Sequence, residues 1–126
     1  MQVCSNNQQI IDLISQWKGK GETVAFIIPA EQHDAITANK MITVLLNQGI
    51  EVRQSSMEFR HEGRVYGPGT YVVTMAQPKR GVIRWLLGRT FYPDNDFTRY
   101  RDGSPIRPYD MSTDNISEYM GVRVDP

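Results

Sequence analysis

Apolar residues along this chain fall into two rhythms, and their alternation sets the first expectation of its shape. Thr23 to Ile28 (TVAFII) is short, continuously apolar and β-rich, as expected of a strand covered on both faces. Pro29 ends it. From Glu31 to Gln48, Ile36, Met41, Ile42, Leu45 and Leu46 recur at helical spacing, and Gly49 supplies the stop. Ile50 to Arg53 then predicts the next strand. Strand, helix, glycine, strand is a βαβ unit, which implies parallel pairing and a right-handed crossover. Ahead of it, Asn6 or Asn7 can cap a helix carrying Ile10, Ile11, Leu13, Ile14 and Trp17, stopped at Gly19-Lys-Gly21.

The second half is less regular. Glu58 to Tyr66 predicts a short polar hairpin around Glu62-Gly63, and Pro68-Gly69 turns into a buried strand, Thr70 to Met75. Pro78 suits the first turn of a helix running to about Arg89, with Val82, Ile83, Trp85, Leu86 and Leu87 on its apolar face. Tyr92 to Asp110 is rich in Pro, Gly, Asp and Arg and poor in core residues; an irregular stretch of this length is usually a lid or an interface. A short helix over Thr113 to Met120 and a last strand, Val122 to Val124, complete the pattern. No internal repeat, low-complexity tract or domain linker interrupts it.

Length and charge narrow the classes. A chain of 126 residues suits one domain. Fourteen Lys plus Arg balance fourteen Asp plus Glu, so no global field favours nucleic acid or an anionic membrane. One cysteine, Cys4, excludes an internal disulfide framework. The first residues lack the basic and apolar regions of a signal peptide, and no apolar run approaches the roughly 20 residues of a membrane span. The expectation is a soluble domain with no membrane span and no nucleic-acid partner.

Chemistry is scarce. Glu58 and His61 have a Glu-x-x-His spacing, but in hairpin sequence they point to opposite faces, so the solvated hairpin is the reading preferred to a metal pair. Glu31, Gln32, His33 and Asp34 follow the first strand, where open α/β sheets bind ligands; they equally suit a helix N-terminus, and capping is preferred. Cys4 stands on no strand-to-helix elbow and has no histidine at hand. Gly19-Lys-Gly21 is a turn rather than a dinucleotide fingerprint. No residue is therefore assigned a catalytic, cofactor-binding or metal-binding role. Two features rise above this background. Gln77 to Arg89 forms a basic amphipathic helix, with Arg80 and Arg84 on one face, able to dock on an acidic partner or simply to remain solvated. Arg99 to Asp110 interleaves Arg, Tyr and Pro, which suits an interface rim or a loop clipped down by Arg–Asp pairs.

That tract also carries a resemblance. Ile106-Arg-Pro-Tyr-Asp110, after Tyr92-Pro-Asp94, resembles the region downstream of the catalytic domain in bacterial M14-type zinc carboxypeptidase-like proteins. Gly69-Thr-Tyr-Val-Val73, Gln77-Pro78 and Leu86-Leu87 fit the same pattern. So do Ile28 to Asp34, Leu45 to Val52 and, at the far end, Met120-Gly121-Val122. The match runs in order from about Thr23 to Val122. After Asp110 the chain departs from the family pattern. The family's peptidase domain holds zinc with a His-x-x-Glu pair and a later His, and neither His33 nor His61 has Glu three residues on.

The resemblance implies an accessory, non-catalytic domain spanning residues 1–126, made of an N-terminal helix (1–21) and a family-like region (22–126). Zinc would belong to the parent's catalytic domain, and the parent would be a secreted or periplasmic enzyme of proteolysis. The partners would be the peptidase domain of the same polypeptide and its peptide substrate. The fold class expected is an α/β three-layer sandwich with a mainly parallel sheet, similar to Rossmann-like and class I glutamine-amidotransferase-like domains, plus a small hairpin. The candidate interface or ligand contacts are Gln77, Asp94, Arg107, Tyr109 and Asp110. The alternative is a small-molecule-binding, hydrolase-like or amidotransferase-like domain using the C-terminal strand ends near Pro29 to Asp34, Gln77 and Asp110.

Overall fold

A computed structural model describes residues 2–4, 23–89, 94–107 and 115–126. Within these residues six strands run in chain order: β1 (Gln2–Cys4), β2 (Ala25–Ile28), β3 (Arg53–Ser55), β4 (Phe59–His61), β5 (Arg64–Tyr66) and β6 (Tyr71–Thr74). Among the described residues three α-helices accompany them: α1 (Ala35–Asn47), α2 (Arg80–Leu87) and α3 (Ile116–Met120). No helix among the described residues is long and apolar enough to cross a membrane.

Local chemistry explains the best-formed pieces. Asp34 caps α1: its Oδ1 accepts from the Ile36 and Thr37 amides at 2.9 and 3.1 Å, and its Oδ2 accepts from the Thr37 hydroxyl at 2.7 Å. At the other end the Ile50 amide donates to Leu45 O and the Gly49 amide to Leu46 O, closing a Schellman motif. That motif places Gly49 at φ 77°, a left-handed backbone that favours glycine. Glu62 and Gly63, at φ 47° and 76°, both take the positive φ that a tight two-residue hairpin turn demands, and β4 pairs antiparallel with β5 around them.

The main sheet differs from the expected parallel sandwich. Its order is β1-β3-β6-β2. β1 and β3 are parallel, but β6 lies between β3 and β2 and is antiparallel to both. β2 and β3 therefore run in the same direction, as the βαβ pattern requires, without being neighbours. Antiparallel pairing dominates this mixed sheet, so it is neither Rossmann-like nor amidotransferase-like. Nor do helices cover both faces, as in the expected sandwich. Phe26, Ile28 and Val73 face Ala38, Met41, Ile42 and Leu45 of α1 and Ile83 and Leu87 of α2. On the opposite side Ala25, Ile27 and Val72 face the hairpin, where the Phe59 and Tyr66 rings stack with centroids 5.2 Å apart. The apolar run of β2 is thus covered twice, once by helices and once by a hairpin.

Two expected strands change character. Ile50 is spent on the helix stop, so β3 begins only at Arg53, while Ile50 and Val52 remain in the core. Val122 to Val124 forms no strand; the chain meets β2 through a single antiparallel bridge between Ile27 and Asp125, with mutual hydrogen bonds of 2.7 and 2.8 Å. The sequence reading missed β1. Of the N-terminal helix expected within residues 1–21, Gln2–Cys4 is strand instead and residues 5–21 lie outside the described residues, as does the start of the helix expected from Thr113.

Candidate functional site

Gln77 follows β6 and is buried, where an amide must find partners or cost stability. Its Nε2 donates to the carbonyls of Glu51 and Thr74 at 3.0 and 2.9 Å, and its Oε1 accepts from the Glu51 amide at 2.7 Å. The carboxamide thereby replaces a strand partner for residue 51. Gln32 does the same across the sheet edge. Pro29 has no amide hydrogen to pair with Arg123, and the Gln32 side chain supplies both bonds instead, Oε1 accepting from the Arg123 amide at 2.9 Å and Nε2 donating to its carbonyl at 3.0 Å. Both glutamines latch backbone, as does Asp34 at the head of α1. The groups that the small-molecule alternative would aim at a ligand are, in large part, already engaged.

A second polar knot sits at the end of the described chain. The Asp125 carboxylate is buried and accepts from the Tyr66 hydroxyl at 3.0 Å and from Arg123 Nη2 at 2.7 Å, with Arg64 Nη1 at 3.2 Å. Burial pushes the carboxyl up, but the hydrogen bonds from Arg123 and Tyr66 and the two guanidinium charges outweigh it, so Asp125 titrates below the ordinary carboxylate range. The same burial, reinforced by the hydrogen bond to Asp125, raises the Tyr66 hydroxyl. This knot fastens the hairpin to the edge of β2.

The tract singled out in the sequence is organised differently. Asn95 caps a single 3-10 turn, Asp96–Thr98, through a capping box in which Thr98 returns a bond to Asn95. Arg99 grips Asp94 with two bonds, Nε to Oδ1 at 2.6 Å and Nη2 to Oδ2 at 2.8 Å, and its Nη1 donates to Gly103 O at 2.7 Å. Arg99 pairs with Pro105 as an antiparallel bridge, and the Ile106 amide donates to Thr98 O at 2.8 Å. The hydrogen bond and charge of Arg99 hold the Asp94 carboxyl below its usual range. The ion pair is internal to this arm. No described residue between 94 and 107 is buried, and Phe97 stands 93% exposed on its turn with Tyr100 beside it, also exposed.

Of the predicted contacts, Asp94 and the exposed Arg107 belong to the arm, Gln77 belongs to the core latch, and Tyr109 and Asp110 lie outside the described residues. Phe97 and Asp125 were not singled out in the sequence, and Gln32, named there among the candidate ligand or capping residues after the first strand, instead bonds the Arg123 backbone. An aromatic after Asn-Asp in a core-poor tract was the one available signal for Phe97; nothing in the periodicity marks Asp125. No group of three or more His, Cys, Asp or Glu side chains that could hold a metal ion is present among the described residues. His61 Nε2 lies 4.0 Å from Glu62 Oε1, and His33 is exposed. Comparison with protein-family models, with curated proteins and with solved structures gives no match.

Proposed function

We propose that this chain is a non-catalytic accessory domain of an M14-like zinc metallocarboxypeptidase. It packs against the peptidase domain of the same polypeptide through the arm at residues 94–107. One observation carries the reading. A stretch of chain is held in one shape by a capping box, a bidentate Arg–Asp pair and a bridge, yet has no buried residue and presents Phe97 and Tyr100 to solvent. Fixing a backbone costs free energy, and exposed aromatics contribute none of the stabilisation that burial would give; a surface that another domain covers makes up for both. The choice of that partner rests on the resemblance of the ordered motifs from Thr23 to Val122 to the family's pattern.

The test supplies the peptidase domain encoded in the same reading frame as a separate polypeptide and measures association with this chain by calorimetry. Association is expected, weakened about tenfold or more by joint Phe97→Ser and Tyr100→Ser substitution, as for aromatic anchors of an interface. A reading frame that encodes no His-x-x-Glu segment, or two domains that do not associate, overturns the reading. One tightly held metal ion per isolated chain would contradict its non-catalytic part.

A further inference from the structure

A cleft of about 1210 Å³ opens between α2 and the segment 122–126. Its floor is apolar, set by the buried Phe26, Leu87 and Val122. Its walls carry four arginines, Arg64, Arg84, Arg89 and Arg123, against one lining carboxylate, Asp125. Arg64 and Arg123 share that carboxylate, and Arg89 reaches Glu118 at 3.7 Å; Arg84 makes no side-chain bond among the described residues. Since a guanidinium has five N–H donors, the paired arginines keep donors in reserve. Trp85 lines the same cleft, 66% exposed.

We infer that this cleft binds an acidic polypeptide segment in extended form, its acidic side chains meeting the arginines and its alternate apolar side chains entering the floor. Four observations select that occupant. The volume exceeds the roughly 300–1,000 Å³ of ordinary small-molecule pockets, so a length of chain fills it better than a metabolite. An arginine wall over an apolar floor suits a ligand with two chemically distinct sides, which an extended peptide has by its period of two. Exposed Trp and Arg are the side chains that anchor peptide contacts. The balanced net charge supplies none of the long-range field that holds a nucleic acid. This inference is independent of the proposed parentage, because it concerns another surface and needs no peptidase domain.

The experiment uses this chain alone and a fluorescein-labelled hexapeptide alternating Glu and Leu, followed by anisotropy at low salt. Binding is expected, and replacing every Glu of the peptide by Gln should weaken it at least about tenfold. Arg84→Glu, on an exposed residue, should weaken it by a similar factor at unchanged thermal midpoint, and Trp85→Ala should weaken it by several-fold. Arg80→Glu, outside the cleft, should leave it unaltered. Equal affinity for the Glu and Gln peptides, or indifference to Arg84→Glu, overturns the proposal. So does an unlabelled single-stranded oligonucleotide that displaces the peptide at equal concentration.

Discussion

The layered body and the arm at 94–107 are ordered by opposite means. In the body, Met41, Leu45, Ile83 and Val73 are wholly buried, and backbone groups without a ladder partner are served by buried side chains such as Gln77. In the arm nothing is buried, and every fastening is a polar bond made in contact with water. Burial yields stability that grows with area, whereas exposed polar bonds exchange with water and yield little net. The difference teaches where to look for use: the body holds itself together, and the arm holds a shape whose benefit lies outside itself.

The contrast breaks first at the core. Leu45→Ala removes a wholly buried side chain from the α1 face and should cost about 2–5 kcal/mol, read as a lower urea midpoint. A loss below about 1 kcal/mol would mean that α1 is not the principal cover of the sheet. Gln77→Ala leaves the Glu51 amide and two carbonyls without their partner and should cost about 1–3 kcal/mol, with the fold retained.

The Asp125 knot sharpens the comparison through pH. Asp125 has its carboxyl lowered in the folded chain from an ordinary 3.8, so its contribution is full above that value and fades as pH falls through the folded one. Tyr66 has its hydroxyl raised from an ordinary 10.0, so its contribution is full below pH 10 and fades as pH rises through the folded value. Thermal melts of Asp125→Asn should show a shallower acid limb than the unmodified chain, and those of Tyr66→Phe a shallower alkaline limb. Unchanged limbs would show that the knot is not closed in solution. The smallest effect belongs to the arm. Phe97→Ser should shift global stability by under about 0.5 kcal/mol, and Asp94→Asn should leave the midpoint alone while hastening tryptic cleavage at Arg99 or Arg101. A cooperative loss of stability from either would place the arm inside the folding unit.

Much of the local structure was legible in the residues. Asp34 and Gly49 bracket α1 because a carboxylate satisfies orphan amides and a glycine accepts the left-handed turn, both nearest-neighbour effects. The Glu62-Gly63 hairpin was legible for the same reason. The sheet order was not. The strand–helix–strand pattern gave the direction of β3 relative to β2 but implied that the two pair directly, and β6 enters between them instead, in a pairing that joins Ala25 to Thr74 across 49 positions. A candidate such as Gln77 was visible as a residue type in a suggestive place, while its engagement with Glu51, 26 positions away, was invisible.

The amino-acid order by itself determined α1, α2, the β4–β5 hairpin and the strands β2 and β6, and that β2 must be covered on both faces, because these follow from side-chain period and from residues a few places apart. Only the tertiary structure decided that a hairpin supplies one of the two covers, that β6 splits the β2–β3 pair, and that Asp125 meets Tyr66 and two arginines. Such long-range choices are set by which arrangement buries the most apolar surface while leaving no polar group stranded, a property of the whole packing that no local window contains.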